Sequence, residues 1–504
     1  MATGGPQPCA AATAAASSYS GETADQIASS YGFSGLYGAG DVGVGQTVAI
    51  YELEGNFHAD IAAYQKCYKT TASVTYKKVD HGPPAPSAAS DDGLESELDI
   101  EDLIGLAPKA SLIVYQGPNS TSSGPGSGPY DTYNAIISQD LAKVISTSWG
   151  LCEPMLGSSD AGAENTLFQE AAVQGQSIVA ASGDEGSEDC YNPTGNPGAT
   201  GLAVDDPASQ PFVTGAGGTT LTALGPPPSE AVWNDSCCGA SGGGISTQWP
   251  MPAYQSGAPA SLNVISANSS GAPCGAVPGG YCREVPDVSA DASDTSTYTM
   301  YWNGGWIGIY GTSGAAPTWA SLIALTDAST ECGGSPIGFA NPALYRAAGS
   351  SAYATVFNDI TSGDNDYLRD QGGRFPTGVG DDMATGLGTP NASALAGALC
   401  DKVTVVNPGS QTSPMGLPLT LTVPGVSSSG AQLHYVATGL PSGLSLNGST
   451  GVVSGAPTMV GAWNVTVVAT SADGAAGSTS FTWNVFTAPG VVSAPVTVAI
   501  FRPR

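Results

Sequence analysis

The sequence predicts an α/β domain built on a parallel β-sheet, followed by a small all-β sandwich. Three observations carry this reading. Over residues 1–400, short apolar runs of strand length alternate with helix-like stretches. After Cys400 charge almost vanishes, and Val, Thr, Gly and Ser alternate in short runs between turn-rich pieces. At 504 residues the chain is also long enough to bury two or three separate cores.

Taken in order, QTVAIYEL (46–53), SLIVYQ (111–116), KVISTSW (143–149) and SIVAASG (177–183) read as strands buried on both faces, as in a parallel sheet. The stretches 94–106, 131–140 and 161–174 read as the intervening helices. Gly/Pro/Ser-rich segments at 116–130, 190–201 and 235–280 read as long surface loops facing a substrate. Beyond residue 402, PLTLTVPG, QLHYVATG, AWNVTVVAT and TSFTWNV predict the strands of the sandwich. The stretch from YVATGLPSGLSLNGSTG to VVAT resembles the immunoglobulin-like domains appended to bacterial secreted proteins. The expected division is a domain at 1–400, a sandwich at 402–488 and an unassigned tail at 489–504.

Composition narrows the partners. Thirteen Lys and Arg stand against 42 Asp and Glu, for a net charge of −29, so nucleic acid and anionic membranes are not expected partners. Such acidity serves solubility, and it also suits an acidic medium in which carboxylates are partly protonated. Ten cysteines without CxxC pairs favour disulfides and an oxidising compartment over zinc. Cys274 and Cys282 are placed to close a small loop, while Cys237 and Cys238 either pair with each other or elsewhere. No apolar run is long enough to span a bilayer. The start, MATGGPQPCAAATAAASS, lacks the regions of a signal peptide and reads as a mature or recombinant start; in a secreted protein the targeting segment would have been removed.

The strongest chemical signal is YGTSGAAPTWASLIAL (310–325). A small-residue turn places Ser313 at the start of an apolar helix, where backbone N–H groups can face a developing oxyanion. Pro317 is expected in the first turn, where a missing N–H is harmless. Gly-Thr-Ser followed by small residues and Pro is the nucleophile pattern of subtilisin-like folds; the bland alternative is a serine helix cap.

A serine nucleophile needs a base, usually His. Of the three histidines, His434 falls in the expected sandwich, and His58 and His81 sit in polar, loop-like contexts without a His-bearing helix pattern, so a carboxylate enters as candidate. Seven carboxylates fall between Asp91 and Asp102. Glu95 and Asp99, four apart on the predicted helix, share a face, so Asp99 can share a proton with Glu95 and orient it. The competing reading is that Asp92 caps this helix and Glu95 completes a capping box. Glu97, Glu101 and Asp102 are expected on the surface. In VAASGDEGSEDC (179–190), Asp184 emerges just past a strand end, where a protonated carboxyl can donate to an oxyanion.

Together these motifs resemble the sedolisin family of serine-carboxyl peptidases, acid-active secreted proteases on a subtilisin-like fold. The resemblance runs from about Thr23 to Cys400 and rests on TADQIASSYGFSGLYGAGDVGVGQTVAIYEL, ESELDIEDLIGLAPKASLIVYQ, ASGDEG and YGTSGAAPTWA. It implies Ser313 as nucleophile, Glu95 as general base, Asp99 as its orienting partner and Asp184 as oxyanion donor. Glu52 and Trp149 would extend the proton network. It also implies a form lacking a propeptide and one calcium ion, with VFNDITSGDND (356–366) and GVGDDMATGLGTPN (378–391) resembling its site. Asp359 and Asp382 would give carboxylates, and Ile360, Gly378 and Gly380 carbonyls. Two residues depart from the pattern: Tyr310, where many members have a small residue, and Asp381, where they have an aromatic one.

The resulting expectation is a secreted, extracellular, monomeric peptidase acting on proteins or peptides in acid. Two rivals stand beside it. One is a catalytically silent homologue that binds protein or glycan through its sandwich and loops; the other is a neutral Ser-His-Asp protease.

Overall fold

The computed structural model describes residues 3–487, except 88, 121–123, 236, 334, 401–402, 428–431 and 472–475. The expected tail at 489–504 lies outside the described residues. The chain divides into two compact units, residues 1–400 and 401–504.

The first unit is organised by an eight-stranded sheet. Its strands are β1 (Thr47–Glu52), β2 (Val74–Lys78), β3 (Ser111–Gln116), β4 (Val144–Thr147), β5 (Ser177–Ala181), β6 (Thr214–Ala223), β7 (Ser229–Val232) and β8 (Val288–Asp291). The spatial order is β7-β6-β5-β4-β1-β3-β2, with β8 also paired to β6. Every pairing is parallel except β6 with β7.

Five helices frame this sheet and the residues at its edge: α1 (His58–Tyr68), α2 (Leu94–Leu106), α3 (Gly128–Gln139), α4 (Ser158–Val173) and α5 (Thr312–Ala328). Strand alternation sends successive side chains to opposite faces. Val48 and Ile50 of β1 enter a core shared with α2 and α5, while Ala49 and Tyr51 enter one shared with α3 and α4. This doubly covered parallel sheet is the subtilisin-like architecture. The segment 235–280, expected as loop, contains the strand Gly244–Pro250 paired with Cys282–Val285. Disulfides join Cys9–Cys67, Cys152–Cys190, Cys237–Cys238, Cys274–Cys282 and Cys332–Cys400. Among the described residues no helix is long and apolar enough to cross a membrane.

The second unit is all β. A four-stranded sheet of Gln411–Pro414, Ala476–Phe486, Gly461–Ser471 and Leu433–Thr438 accompanies a three-stranded sheet of Leu419–Thr422, Val452–Gly455 and Leu444–Asn447. Their inner faces share a core containing Val423, Val453, Val465, Val467 and Trp483.

Candidate active site

Strands β1, β4 and β5 lie side by side and parallel, so their carboxyl ends open on one edge of the sheet. Glu52 is the last residue of β1, Ser148 and Trp149 follow β4, and Asp184 follows β5. The amino-terminal parts of α2 and α5 bring Glu95, Asp99 and Ser313 to the same place.

The start of α2 differs from the expected capping box. Its N-cap is Gly93, in the left-handed region at φ 84° and without a side chain to cap. Asp92 instead accepts from the Ser87 N–H at 3.2 Å. Glu54, just past β1, takes over the cap by accepting from the Ser96 N–H at 3.1 Å. Glu95 is thereby free to turn to the nucleophile, and its carboxylate lies beside the hydroxyls of Ser313 and Ser148, which favour its charged form. Burial, with the charges of Asp184 and Glu54 adding, pushes Glu95 up to about 8 against the opposing hydrogen bonds.

Asp99 is fully buried, and its Oδ1 accepts from Ser148 Oγ at 2.7 Å. Glu52, also fully buried, accepts from Trp149 Nε1 at 2.9 Å. Burial holds both carboxyls well above the ordinary range; the Glu95 charge adds to Asp99 and the Asp99 charge to Glu52. One oxygen of each, Asp99 Oδ2 and Glu52 Oε1, is buried without a hydrogen-bond partner among the described residues. Acidic side chains so placed are cheapest when protonated.

The nucleophile helix begins one residue before Ser313, at Thr312. Pro317 therefore lies inside the helix as its sixth residue, beyond the first turn in which it was expected. Gly311 precedes the helix at φ 125°, and a side-chain carbon there would come within 2.7 Å of Asp184 Oδ2. Asp184 Oδ1 accepts from the Thr312 N–H and Thr312 Oγ1, both at 2.8 Å. Asp184 is thus fixed beside the nucleophile, its carboxyl raised by burial against those two hydrogen bonds. The histidines lie elsewhere: His58 and His81 are exposed, His58 stacking on Tyr76, and His434 belongs to the second unit. Tyr310 packs edge-on against Trp233.

A cleft of 560 Å³ opens onto this constellation, bordered by Ser148, Asp184, Thr312 and Ser313. Leu151, Met155, Tyr191 and the Cys152–Cys190 disulfide form part of its wall, and Glu185, Asp189 and Asp205 are its acidic side chains further in.

The other acids of α2 are not surface groups. Glu97, Glu101 and Asp102 expose 0%, 1% and 5% of their surface. The helix is enclosed by α1, α5 and the hairpin strand Thr297–Trp302, so it has no solvent face for them. Each instead accepts a bond from a different element: Glu97 from the Phe57 N–H at 2.6 Å, Glu101 from the Tyr301 N–H at 2.7 Å, and Asp102 from Thr318 Oγ1 at 2.9 Å.

Of the residues expected to hold calcium, Asp359 meets Gly380 and Asp382 meets Gly378, while Ile360 is buried next to Asp359 in the chain. Gly380 N–H donates to both oxygens of Asp359 at 3.2 Å, and Gly378 N–H donates to Asp382 Oδ2 at 3.0 Å. Tyr353 Oη lies 3.0 Å from Asp359 Oδ1, 3.3 Å from the Gly380 carbonyl and 3.1 Å from the Leu387 carbonyl. One phenolic proton cannot serve three acceptors, so this pocket of oxygens has lone pairs to spare and fits a hard cation. Asp382 Oδ1 also caps its own turn, accepting from the Ala384 and Thr385 N–H groups. Asp381 is buried beside Glu284 and Asp382, and it lines a pocket together with Gly378 and Asp382.

Sequence reasoning missed Ser148 and Glu54. Ser148 was legible only as the neighbour of Trp149 in STSWG, and Glu54 only as an acid just past a strand end.

A family model described as "Subtilase family" matches residues 62–331, more than half of the chain, and the chain belongs to that family. Its likeness within the family is to the sedolisins. Over 375 residues it is 34% identical to kumamolisin of Bacillus sp. (strain MN-32), covering 73% of this chain and 62% of that protein. It is 33% identical to sedolisin of Pseudomonas sp. (strain 101), covering 60% and 48%, and 29% identical to human tripeptidyl-peptidase 1, covering 60% and 51%. The chain thus spans about half to three-fifths of the length of these relatives. Among solved structures it matches Pseudomonas sedolisin, a serine-carboxyl proteinase complexed with two molecules of pseudo-iodotyrostatin. The TM-score is 0.61 at 29% identity, covering 75% of this chain and 97% of that one. Residues 402–486 match a model described as "Putative Ig domain".

Proposed function

We propose that this protein is a secreted, acid-active serine-carboxyl peptidase. The observation that carries the reading is the Glu95 carboxylate beside Ser313 at an open cleft, with Asp184 held by Thr312 at the start of the nucleophile helix. Ser313 Oγ attacks the scissile carbonyl carbon while its proton passes to Glu95. The carbonyl oxygen becomes an oxyanion, and a protonated Asp184 donates to it. Collapse expels the amine, which takes the proton back from Glu95 and leaves an acyl-enzyme on Ser313. Water then attacks the acyl carbon as Glu95 takes its proton; the bond to Ser313 Oγ breaks, Ser313 regains that proton from Glu95, and the acid product leaves.

The working form needs Glu95 ionised and Asp184 protonated at once. Glu95 is the more strongly raised group, so this form is a minor fraction and activity follows a bell in pH. Acid activity is supported by the likeness to a serine-carboxyl proteinase and by the presence of carboxyl groups, not a histidine, around the nucleophile. Asp99, Glu52 and Trp149 support Glu95 from behind by keeping the set of acids ordered and partly protonated. Asp359 and Asp382, with the carbonyls of Ile360, Gly378 and Gly380, would hold one calcium ion. Its charge would tie the 356–391 segment together and offset the burial of those carboxylates. Five disulfides accord with an oxidising, extracellular location.

The decisive test compares the parent with Ser313→Ala on a denatured protein at pH about 3–5, a window set by ordinary carboxyl values. Cleavage by the parent and none by the variant is expected; equal cleavage by both removes Ser313 from the role.

A further inference from the structure

Ser148 holds a position that neither the sequence motifs nor the peptidase mechanism explains. Its hydroxyl carries one proton but faces three acceptors: Asp99 Oδ1 at 2.7 Å, the Ser313 carbonyl oxygen at 3.2 Å, and the Glu95 carboxylate. The second of these is unusual. In a regular helix the carbonyl of Ser313 would accept from the N–H four residues on, but that residue is Pro317, which has no N–H. The bond from Ser148 also joins the end of β4 to the nucleophile helix, two segments 165 residues apart.

We propose that Ser148 is a positioning residue for the peptidase reaction, a hydroxyl bridge that couples the Glu95–Asp99 pair to the backbone of the nucleophile. The proposal rests on the peptidase reading of the site. The one proton of Ser148 has two settings. With Asp99 ionised, the Ser148 O–H donates to Asp99 Oδ1. With Asp99 protonated, the Asp99 O–H donates to Ser148 Oγ, and Ser148 turns its own proton to the Ser313 carbonyl, the acceptor that Pro317 leaves open. Ser148 keeps its proton throughout; the proton released by Ser313 goes to Glu95. Rotation of one hydroxyl thus registers the protonation of Asp99 and holds Ser313 in place in either setting. Ser148 borders the cleft, so this rotation requires no opening of the core. Charged groups around the bridge are acidic: Glu52, Glu54, Glu95, Asp99, Asp102 and Asp184.

The test uses the full chain carrying Ser148→Ala, with Ser148→Thr as the variant that keeps the hydroxyl. Both are assayed for kcat and KM on one peptide across pH about 2.5–7, a span bracketing the carboxyl range. Loss of a hydrogen bond to a charged group predicts kcat lower by about 10- to 100-fold in the alanine variant, with KM unchanged. Removing a donor to Asp99 and Glu95 also makes them harder to ionise, so the acid limb moves to higher pH. The threonine variant restores both. Ser148→Ala with parental kcat and an unmoved acid limb overturns the proposal. So does a threonine variant as impaired as the alanine one, because that result assigns the loss to packing. If Ser148→Ala does not fold, Ser148→Cys decides: a weaker donor of similar size must give an intermediate shift of the acid limb, and a parental profile overturns the bridge. A parent inactive at every pH instead contradicts the peptidase reading itself.

Discussion

Replacing Asp102 with Asn should make the protein less sensitive to rising pH. Asp102 is 5% exposed and lies between α2 and α5, with Thr318 Oγ1 donating to its Oδ2 at 2.9 Å. Burial raises its carboxyl from 3.8 to about 7, opposed only by that hydrogen bond. A carboxyl raised on folding contributes stability that is fully present below the unfolded value and is lost as pH rises through the folded one. At about 1.4 kcal/mol per unit, the difference between pH 4 and pH 6 is roughly 2.5 kcal/mol, lost as the unfolded chain ionises and the folded one does not. Asparagine keeps the acceptor for Thr318 and removes the titration. Urea unfolding followed by tryptophan fluorescence at pH 4, 5 and 6 measures both proteins. The variant should lose about 2 kcal/mol less than the parent over this interval. Identical pH slopes would refute the claim that this acid is buried in its neutral form.

Three further outcomes are expected from the site. Trp149→Phe removes the donor to Glu52, 2.9 Å away, and should lower kcat by about 10-fold with little change in KM, read from steady-state kinetics. Asp359→Asn should lower the melting temperature and abolish the further drop that a chelator causes in the parent; a chelator without effect on the parent contradicts calcium binding. The cleft acids Asp189 and Asp205 are nearly buried, and burial raises both, so they are neutral at low pH and gain charge as pH rises. Cleavage after Lys or Arg should therefore gain on cleavage after Leu as pH rises from acid toward neutral in product mapping, and Asp205→Asn should flatten that trend.

Much of the fold and site was legible in the sequence because it depends on local pattern. The buried strands announce themselves as apolar runs, and parallel pairing places the residues after Glu52, Thr147 and Ala181 on one edge. Helical spacing alone puts Glu95 and Asp99 on one face. What spacing could not show is what packs on the remaining faces of α2. Glu97, Glu101 and Asp102 read as surface acids because their partners, Phe57, Tyr301 and Thr318, come from distant segments. The cap failed for a similar reason: Glu54 reaches α2 across a turn, and a positive-φ glycine occupies the N-cap itself. Pro317 was misplaced because helix starts are uncertain by a residue or two, and the actual start at Thr312 carries it into the second turn. That small error concealed the open carbonyl of Ser313, and with it the reason for Ser148.

The central claim is that a carboxylate, not a histidine, activates Ser313. The pH dependence of kcat/KM from about pH 2.5 to 8 on one peptide tests it most directly. The account predicts a bell-shaped profile, with its alkaline limb removed in Asp184→Asn and activity abolished in Glu95→Gln. Activity that rises through pH about 6–7 to a plateau, as a histidine base gives, and that survives in Glu95→Gln, would contradict it.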